Sequence, residues 1–285
     1  MLKTIHRLFI RNVMPRLRVL YHKPLTRALI CLPADTMDFL MRRRDPYIPP
    51  RRIAAIGPGD YRKNGREFVS YFVQLCDLKP DETVLDPGCG PGRIALALTT
   101  YLSAEGRYDG FDVIPKAIDW ASTTISPEFS NFSFRYVDVY NKVYNPTGRI
   151  DPADFVFPYE NEAFDFVFLT SVFTHMLPED VEHYISEISR VLRPGGRTFI
   201  SFFLLNEVSY RKLDEGVSAI DFAHDFDKYR LHNVKTPEID IAYKEDYVRE
   251  LLGINGLEIV EPIHYGSWSG REEFLSLQDI VVARK

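Results

Sequence analysis

The segment Leu85–Arg93, "LDPGCGPGR", combines an acidic residue with three glycines at alternating positions. Asp86 precedes Gly88, Gly90 and Gly92, and the apolar residues on either side predict a turn between a buried strand and a helix. Glycines in such a turn allow a ligand to lie against the bare backbone, near the positive end of the helix. The chemistry expected of this loop is therefore the binding of a charged small molecule.

The glycine spacing and the acidic residue distinguish between possible ligands. A dinucleotide-binding loop has the pattern Gly-x-Gly-x-x-Gly, whereas the third glycine of this loop comes one residue earlier. A carboxylate at Asp86 repels a pyrophosphate and attracts an ammonium group. We therefore expect a ligand that carries a positively charged amine beside a carboxylate.

Further motifs follow the glycine loop in a fixed order. These are "GFDV", ending at Val113, "VDV", ending at Val139, "FDFVFLTSVFTHML", which contains Thr170, and "LRPGGR". Together with "VLDPGCGPGR" they resemble the motifs of the class I S-adenosylmethionine-dependent methyltransferases over about residues 65–205. The resemblance implies a Rossmann-like fold and S-adenosyl-L-methionine as the cofactor.

The resemblance also implies roles for individual residues. Asp86 would face the ammonium group of the cofactor, and Asp112, at the end of the second strand, would accept hydrogen bonds from both ribose hydroxyls. Asp138 and Val139 resemble the acid and apolar neighbour that receive the adenine. Cys89 is expected to pack within the loop rather than to react. The predicted cofactor-binding residues are Asp86, Gly88, Cys89, Gly90, Gly92, Asp112, Val113, Asp138, Val139 and Thr170.

The acceptor side of the site is predicted from two later segments. The sulfonium of the cofactor already activates its methyl group, so the enzyme has to align an acceptor and exclude water, and no metal is required. For a hydroxyl acceptor, His175 in "SVFTHML" is the predicted base, and His264 in "IHYGSWSGR" is its rival. Tyr265, Trp268 and Arg271 are predicted to line the acceptor site. The alternatives are a loop-ordering role for His175 and a plain hairpin loop at residues 264–271.

Hydrophobic periodicity predicts the elements that position these residues. Strand patterns in "TVLD", "YDGFDVI", "FSFRYVDV", "FDFVFLT" and "RTFISFFLL" alternate with helical patterns, and "LEIVEPI" and "LQDIVVARK" close the chain. This order predicts an α/β fold with a doubly wound, mostly parallel seven-stranded sheet, a closing antiparallel hairpin and one antiparallel strand near the edge. Residues 140–163 and 207–243 are long connections after strands, which predicts a functional role at the carboxyl edge of the sheet.

Charge is distributed unevenly along the 285 residues. Residues 1–52 carry a net charge of +9, and the remainder of the chain carries −14. We therefore predict a basic, helical N-terminal extension at residues 1–52 and a methyltransferase domain at residues 53–285. The segment "IHRLFIRNVMPRLRVLYH" interleaves apolar residues with arginines and is suited to a peripheral contact with a membrane surface. Packing of these arginines against the acidic domain is the alternative.

The sequence thus predicts a methyltransferase that acts on a small-molecule or lipid- or glycan-linked acceptor, at a hydroxyl oxygen. A non-catalytic S-adenosylmethionine-binding or interaction protein is the first alternative, and the glycine spacing makes a nicotinamide-dependent oxidoreductase the weaker one. The acidic domain disfavours a nucleic-acid partner. Three cysteines without paired spacing favour the cytoplasm, and the basic extension favours the inner face of a membrane there.

Overall fold

A seven-stranded sheet forms the centre of the computed structural model, which describes residues 24–41, 45–53 and 60–285. Its strands are β1 (Thr83–Pro87), β2 (Arg107–Asp112), β3 (Phe132–Tyr136), β4 (Phe164–Leu169), β5 (Leu192–Phe202), β10 (Glu258–Ile259) and β11 (Asp279–Arg284). The order across the sheet is β10-β11-β5-β4-β1-β2-β3. Strands β1 to β5 are parallel, and β11 is antiparallel to both β5 and β10. The predicted sheet, with its closing antiparallel hairpin, is confirmed.

Helices connect the strands and cover both faces of the sheet. They are α1 (Pro24–Leu40), α2 (Tyr61–Cys76), α3 (Arg93–Leu98), α4 (Pro115–Thr124), α5 (Pro178–Val191), α6 (Glu207–Asp214) and α7 (Glu245–Ile254). The start of α5 illustrates how the sequence determines where a helix begins. Pro178 occupies its first turn with Glu179 and Asp180, and the Asp180 carboxylate accepts a hydrogen bond from the backbone of Leu177.

The alternating side chains of β4 explain why both faces of the sheet are buried. Phe166 and Phe168 pack on one face with Phe72 of α2, whereas Val167 and Leu169 belong to the core on the other face. A parallel strand covered by helices on both faces reads as a continuous apolar run, which is the pattern of "FDFVFL". The rigid sheet holds the carboxyl ends of its strands at one edge, where the long connections begin.

The long connection after β5 contributes to a second, smaller sheet that the sequence analysis did not predict. It consists of β6 (Leu204–Leu205), β7 (His224–Asp225), β8 (Tyr229–Leu231) and β9 (Ile241–Lys244), in the order β6-β9-β8-β7. Strands of two to four residues are too short to show a hydrophobic period. The Tyr243 hydroxyl of β9 donates to the backbone oxygen of Met176, so this sheet contacts the segment that follows β4.

The predicted N-terminal extension is described in part. Helix α1 and residues 45–52 belong to it, whereas the segment "IHRLFIRNVMPRLRVLYH" lies outside the described residues. Across the described ranges, no helix has both the length and the apolar character required to cross a membrane.

Candidate functional site

The glycine loop lies between the carboxyl end of β1 and the start of α3. Gly88, Gly90 and Gly92 all have positive φ angles, of 88°, 54° and 82°, in the region that favours glycine. A Cβ atom at Gly88 would lie 2.5 Å from the side chain of Val172, whereas a Cβ at Gly90 would meet nothing within 4 Å. The loop is therefore packed tightly at Gly88 and open at Gly90, which suits a ligand lying against the backbone of Gly90.

Asp86 lies beneath this loop with only 2% of its surface exposed. The Tyr108 hydroxyl donates a hydrogen bond to its carboxylate at 2.7 Å. Burial raises the pKa of Asp86 to about 8, and the charge of Asp112 adds to this, whereas Tyr108 and Arg93 oppose it. Within the part of the chain that the structure describes, Asp86 forms no ion pair, and its side-chain partner is the neutral Tyr108 hydroxyl. An ammonium group would supply the missing opposite charge.

Asp112 joins the end of β2 to the glycine loop. Its Oδ2 accepts the backbone N–H of Gly90, and its Oδ1 accepts that of Ile114, both at 2.8 Å. Burial raises the pKa of Asp112 to about 6, although these N–H groups favour the ionised form. Each carboxylate oxygen has a second lone pair, so both remain able to accept a ribose hydroxyl. Val113, beside it, packs against the core.

Cys89 has the packing environment that the sequence analysis expected. Its side chain is buried, and a Cβ on Gly110 of β2 would lie 2.8 Å from the Cβ of Cys89. Burial raises the pKa of the Cys89 thiol well above its ordinary value, so it is a neutral thiol. The backbone N–H of Cys89 donates to Phe111, which fixes the loop on β2.

The residues that follow β3 anchor the long connection at 140–163. Asp138 forms an ion pair with Arg149 and accepts a hydrogen bond from the Tyr136 hydroxyl at 2.9 Å. The Arg149 guanidinium lowers the pKa of Asp138. Val139 is buried, and its backbone forms a bridge with Ile150. Contact of Asp138 and Val139 with an adenine stays a prediction.

The segment after β4 brings His175 towards the glycine loop. It begins at Thr170, which is partly buried, and continues to Val172, whose side chain faces Gly88. The backbone N–H of His175 donates to the carbonyl of Val172 at 2.9 Å. The short 3-10 helix Phe173–His175 thereby connects the imidazole to the residue that packs on the loop.

Both long connections contact the His175 ring. Its Nδ1 lies 3.0 Å from the backbone oxygen of Glu238, which fits an Nδ1–H that donates to this carbonyl. In that tautomer Nε2 carries the lone pair, and it lies 3.5 Å from the Tyr144 hydroxyl. The sequence analysis missed Tyr144 and Glu238 as partners of His175. Tyr144 and Glu238 lie in the long connections 140–163 and 207–243, and the unusual length of these connections was the sequence feature that could have indicated a role at the site.

Trp268 does not line an acceptor site, and this prediction is wrong. The indole is fully buried between Phe203 and Phe222, and its Nε1 donates to the Asp279 carboxylate at 2.7 Å. A large aromatic residue in a loop-rich segment can line a ligand site or fill the core, and the sequence did not distinguish these two roles. Burial raises the pKa of Asp279 to about 7.

Tyr265 and Arg271 do line a cavity, of about 560 Å³. The Arg271 guanidinium lies 4.3 Å from the centre of the Tyr265 ring and donates to the side-chain oxygen of Asn206 at 3.2 Å. The Tyr265 hydroxyl donates to the Glu245 carboxylate at 3.0 Å. A neighbouring cavity of about 650 Å³ shares Tyr265 and Arg271. Its lining adds Ile263, His264, Glu272, Glu273, Phe274 and Leu275.

The two candidate bases therefore lie in different places. His264 lines the second cavity, and His175 lines neither of the two. The structure nevertheless connects the first cavity to the segment of His175. Lys244 lines that cavity, and the preceding residue, Tyr243, bonds the backbone of Met176, next to His175.

Comparison with known proteins identifies a methyltransferase domain in the part of the chain that contains the glycine loop. Residues 85–200 match a family model described as a methyltransferase domain. An uncharacterised 37.1 kDa transposon protein of Streptomyces fradiae is 28% identical over 61% of this chain and 45% of its own length. An uncharacterised methyltransferase of Schizosaccharomyces pombe is 27% identical over 42% of this chain and 39% of its own length. The chain thus spans less than half the length of these curated relatives.

Solved structures share the fold. A protein of Pyrococcus horikoshii has a TM-score of 0.54 at 17% identity, covering 86% of this chain and 98% of its own. The [4+2]-cyclase SpnF has a TM-score of 0.53 at 17% identity, covering 81% and 84%. A putative sarcosine dimethylglycine methyltransferase of Galdieria sulphuraria has a TM-score of 0.51 at 15% identity, covering 78% and 85%.

The fold is that of the Rossmann-like methyltransferases, with a mostly parallel sheet and a glycine loop at the end of β1. Residues 85–200 carry a methyltransferase domain, and the order of its motifs resembles that of the class I S-adenosylmethionine-dependent methyltransferases. The motifs of this domain predict S-adenosylmethionine as its cofactor. The buried carboxyl of Asp86 and the open surface at Gly90 fit that cofactor.

Proposed function

We propose that the chain transfers the methyl group of S-adenosylmethionine to a hydroxyl oxygen of a small-molecule or lipid- or glycan-linked acceptor. The observation that carries the proposal is the His175 imidazole, which a backbone carbonyl orients at the segment packed on the glycine loop. A histidine held in one tautomer is suited to accepting a proton from a hydroxyl group.

Cofactor binding rests on the two buried carboxylates. Asp86 binds the ammonium group, Asp112 accepts the ribose hydroxyls, and the backbone at Gly90 provides the surface between them. The bound cofactor supplies a methyl group that its sulfonium has already activated for transfer. The remaining tasks of the chain are to orient the acceptor, exclude water and take up one proton.

His175 takes up that proton at Nε2. The Glu238 carbonyl accepts a hydrogen bond from Nδ1–H, and this bond stabilises the imidazolium after the proton has been taken up. The Tyr144 hydroxyl, 3.5 Å from Nε2, orients the acceptor oxygen by hydrogen bonding. A base placed in this way contributes on the order of 10²–10⁴ in rate.

His175 lines neither of the two cavities that Tyr265 and Arg271 share, so we place the body of the acceptor in these cavities and its reacting hydroxyl group beyond them, at His175. Phe274 and Leu275 add apolar surface, and both are exposed at the mouth of the second cavity. In the described part of the chain, Arg271 forms no ion pair with a carboxylate. This lining suits an acceptor with an apolar body and a polar group.

A non-catalytic or differently reacting protein is the second candidate. The observation that favours it is the fold of SpnF, which is named for a [4+2] cyclisation and not for methyl transfer. One fold carries different reactions, so the acceptor half of the site must be tested directly.

The test uses methyl-labelled S-adenosylmethionine with the full chain and an extract of small molecules and lipids. We expect label in an extracted compound, and treatment with hydriodic acid should release it as methyl iodide, as it does from methyl bonded to oxygen. His175→Ala should bind the cofactor with unchanged affinity in calorimetry but lose transfer. Cofactor binding without any label transfer supports the non-catalytic alternative. Transfer that His264→Ala abolishes and His175→Ala leaves intact assigns the base to His264.

A further inference from the structure

Helix α1 turns its charged residues towards the rest of the chain and its apolar residues outward, which is the opposite of an ordinary surface helix. Its charged residues are Arg27, Asp35 and Asp38, and all three lie on the side that faces the rest of the chain, with Arg27 and Asp35 buried. The opposite side is entirely uncharged. We call it the α1 apolar face, and its large residues, each at least half exposed, are Leu29, Ile30, Leu32, Met37, Phe39 and Leu40.

Polar contacts fix the helix in this orientation. The Asp35 carboxylate accepts the backbone N–H groups of Arg51 and Arg52 at 2.8 and 3.2 Å and forms an ion pair with the Arg52 guanidinium at 3.3 Å. The Arg27 side chain donates to the backbone oxygen of Arg52 at 3.0 Å. Rotating α1 to bury its apolar face would break these contacts and expose a buried carboxylate. The face therefore remains turned outward.

We propose that the α1 apolar face docks on an anionic membrane surface, with the helix axis in the plane of the membrane. A helix of 17 residues is about 25 Å long and carries its apolar side chains to the acyl boundary when it lies in that plane. This docking does not depend on the methyl acceptor.

Charge complementarity selects the membrane over a second copy of the chain. Lys23 precedes the helix, Arg42, Arg43 and Arg44 follow it, and residues 1–52 carry a net charge of +9. A dimer formed through this face would bring two such segments together, and they would repel each other. Anionic head groups attract the same charges and provide an apolar interior for the exposed side chains.

The matched pair Leu29→Glu and Ile254→Glu tests the proposal. Leu29 is 74% exposed on α1, and Ile254 is 75% exposed at the end of α7, so both changes place a charge on an exposed aliphatic position. The full chain is sedimented with vesicles of phosphatidylcholine and phosphatidylglycerol in equal amounts, and with vesicles of phosphatidylcholine alone. We expect binding to the anionic vesicles, weaker binding at high salt, and a loss of about tenfold in Leu29→Glu but not in Ile254→Glu.

Circular dichroism and thermal unfolding confirm that each variant is folded, and Leu29→Ser gives a second, uncharged disruption of the face. Equal vesicle binding by the wild-type chain and both Leu29 variants overturns the proposal. So does a wild-type chain that fails to bind anionic vesicles. Sedimentation equilibrium without lipid gives the remaining outcome: a dimer that Leu29→Ser dissociates assigns the face to a second copy and also overturns it.

Discussion

The Tyr108 hydroxyl donates a hydrogen bond of 2.7 Å to Asp86 on the neighbouring parallel strand. Asp86 pairs with Gly110, and a Cβ at Gly110 would lie 2.7 Å from that hydroxyl. The absence of a side chain at Gly110 therefore allows the Tyr108 ring to reach the carboxylate. A neutral donor holds Asp86 in place without supplying an opposite charge, which leaves burial as the largest influence on its pKa.

Cofactor binding should release a proton from Asp86. Its pKa of about 8 means that the carboxyl is protonated near neutral pH, and a bound ammonium group favours the ionised form. Affinity should therefore increase as the pH rises from about 6 to about 7, by up to about tenfold. Calorimetry in buffers with different ionisation enthalpies measures the proton release. Asp86→Asn should bind more weakly, and its binding should release fewer protons. A binding enthalpy that is independent of the buffer in the wild-type chain contradicts this prediction.

Gly90→Ala should weaken cofactor binding, whereas Gly195→Ala, which strains the backbone in the same way, should not. Gly90 has a φ of 54° and open space where a Cβ would lie, and Gly195 has a φ of 79° and equally open space far along the chain in β5. Alanine in this backbone region costs about 1–2 kcal/mol at either position. Urea unfolding should therefore give similar losses for both variants. Only Gly90→Ala should lower S-adenosylmethionine affinity, by about tenfold or more. Equal affinities of the two variants would place the cofactor away from Gly90.

Asp279→Asn should destabilise the fold strongly. The buried carboxylate accepts the Trp268 indole N–H at 2.7 Å and the backbone N–H groups of Leu204 and Gly266 at 2.6 Å each. An amide has one acceptor oxygen, so at least one donor loses its partner, at a cost of about 1–3 kcal/mol. Asp225→Asn makes the same change in an exposed ion pair with Arg230 and should cost less than about 0.5 kcal/mol. Urea midpoints that shift equally in both variants would contradict the prediction.

Arg271→Met should raise the KM for the acceptor and leave cofactor affinity unchanged. The substitution retains apolar contact with Tyr265 but removes the guanidinium from both cavities. A loss of about tenfold or more in kcat/KM is expected, because a charge-assisted contact contributes about 1.5–3 kcal/mol. Arg62→Met is the control, since Arg62 lies over Tyr47 and outside both cavities. Unchanged kinetics in Arg271→Met would remove these cavities from the acceptor site.

The sequence predicted the positions of the glycine loop and of Asp112 better than the contacts of His175 and Trp268, for a physical reason. The turn around Gly88 and the acid at Asp112 are local: their spacing and the flanking strands already determine where they lie. The contact between His175 and the Glu238 carbonyl joins residues 63 positions apart, and no local pattern encodes it. Trp268 shows the same limit, because only the complete fold reveals that Phe203 and Phe222 enclose it.

The position of β11 in the sheet has a consequence for synthesis on the ribosome. Strand β10 is made before β11, yet among the described strands it pairs with β11 alone, and β5 also lacks its second neighbour until residues 279–284 have emerged. A nascent chain that ends before Asp279 therefore presents β5 as an open apolar edge, with β10 detached from the sheet. Such edges recruit strands from other chains, so the growing polypeptide is exposed to aggregation at β5 until β11 has paired with it.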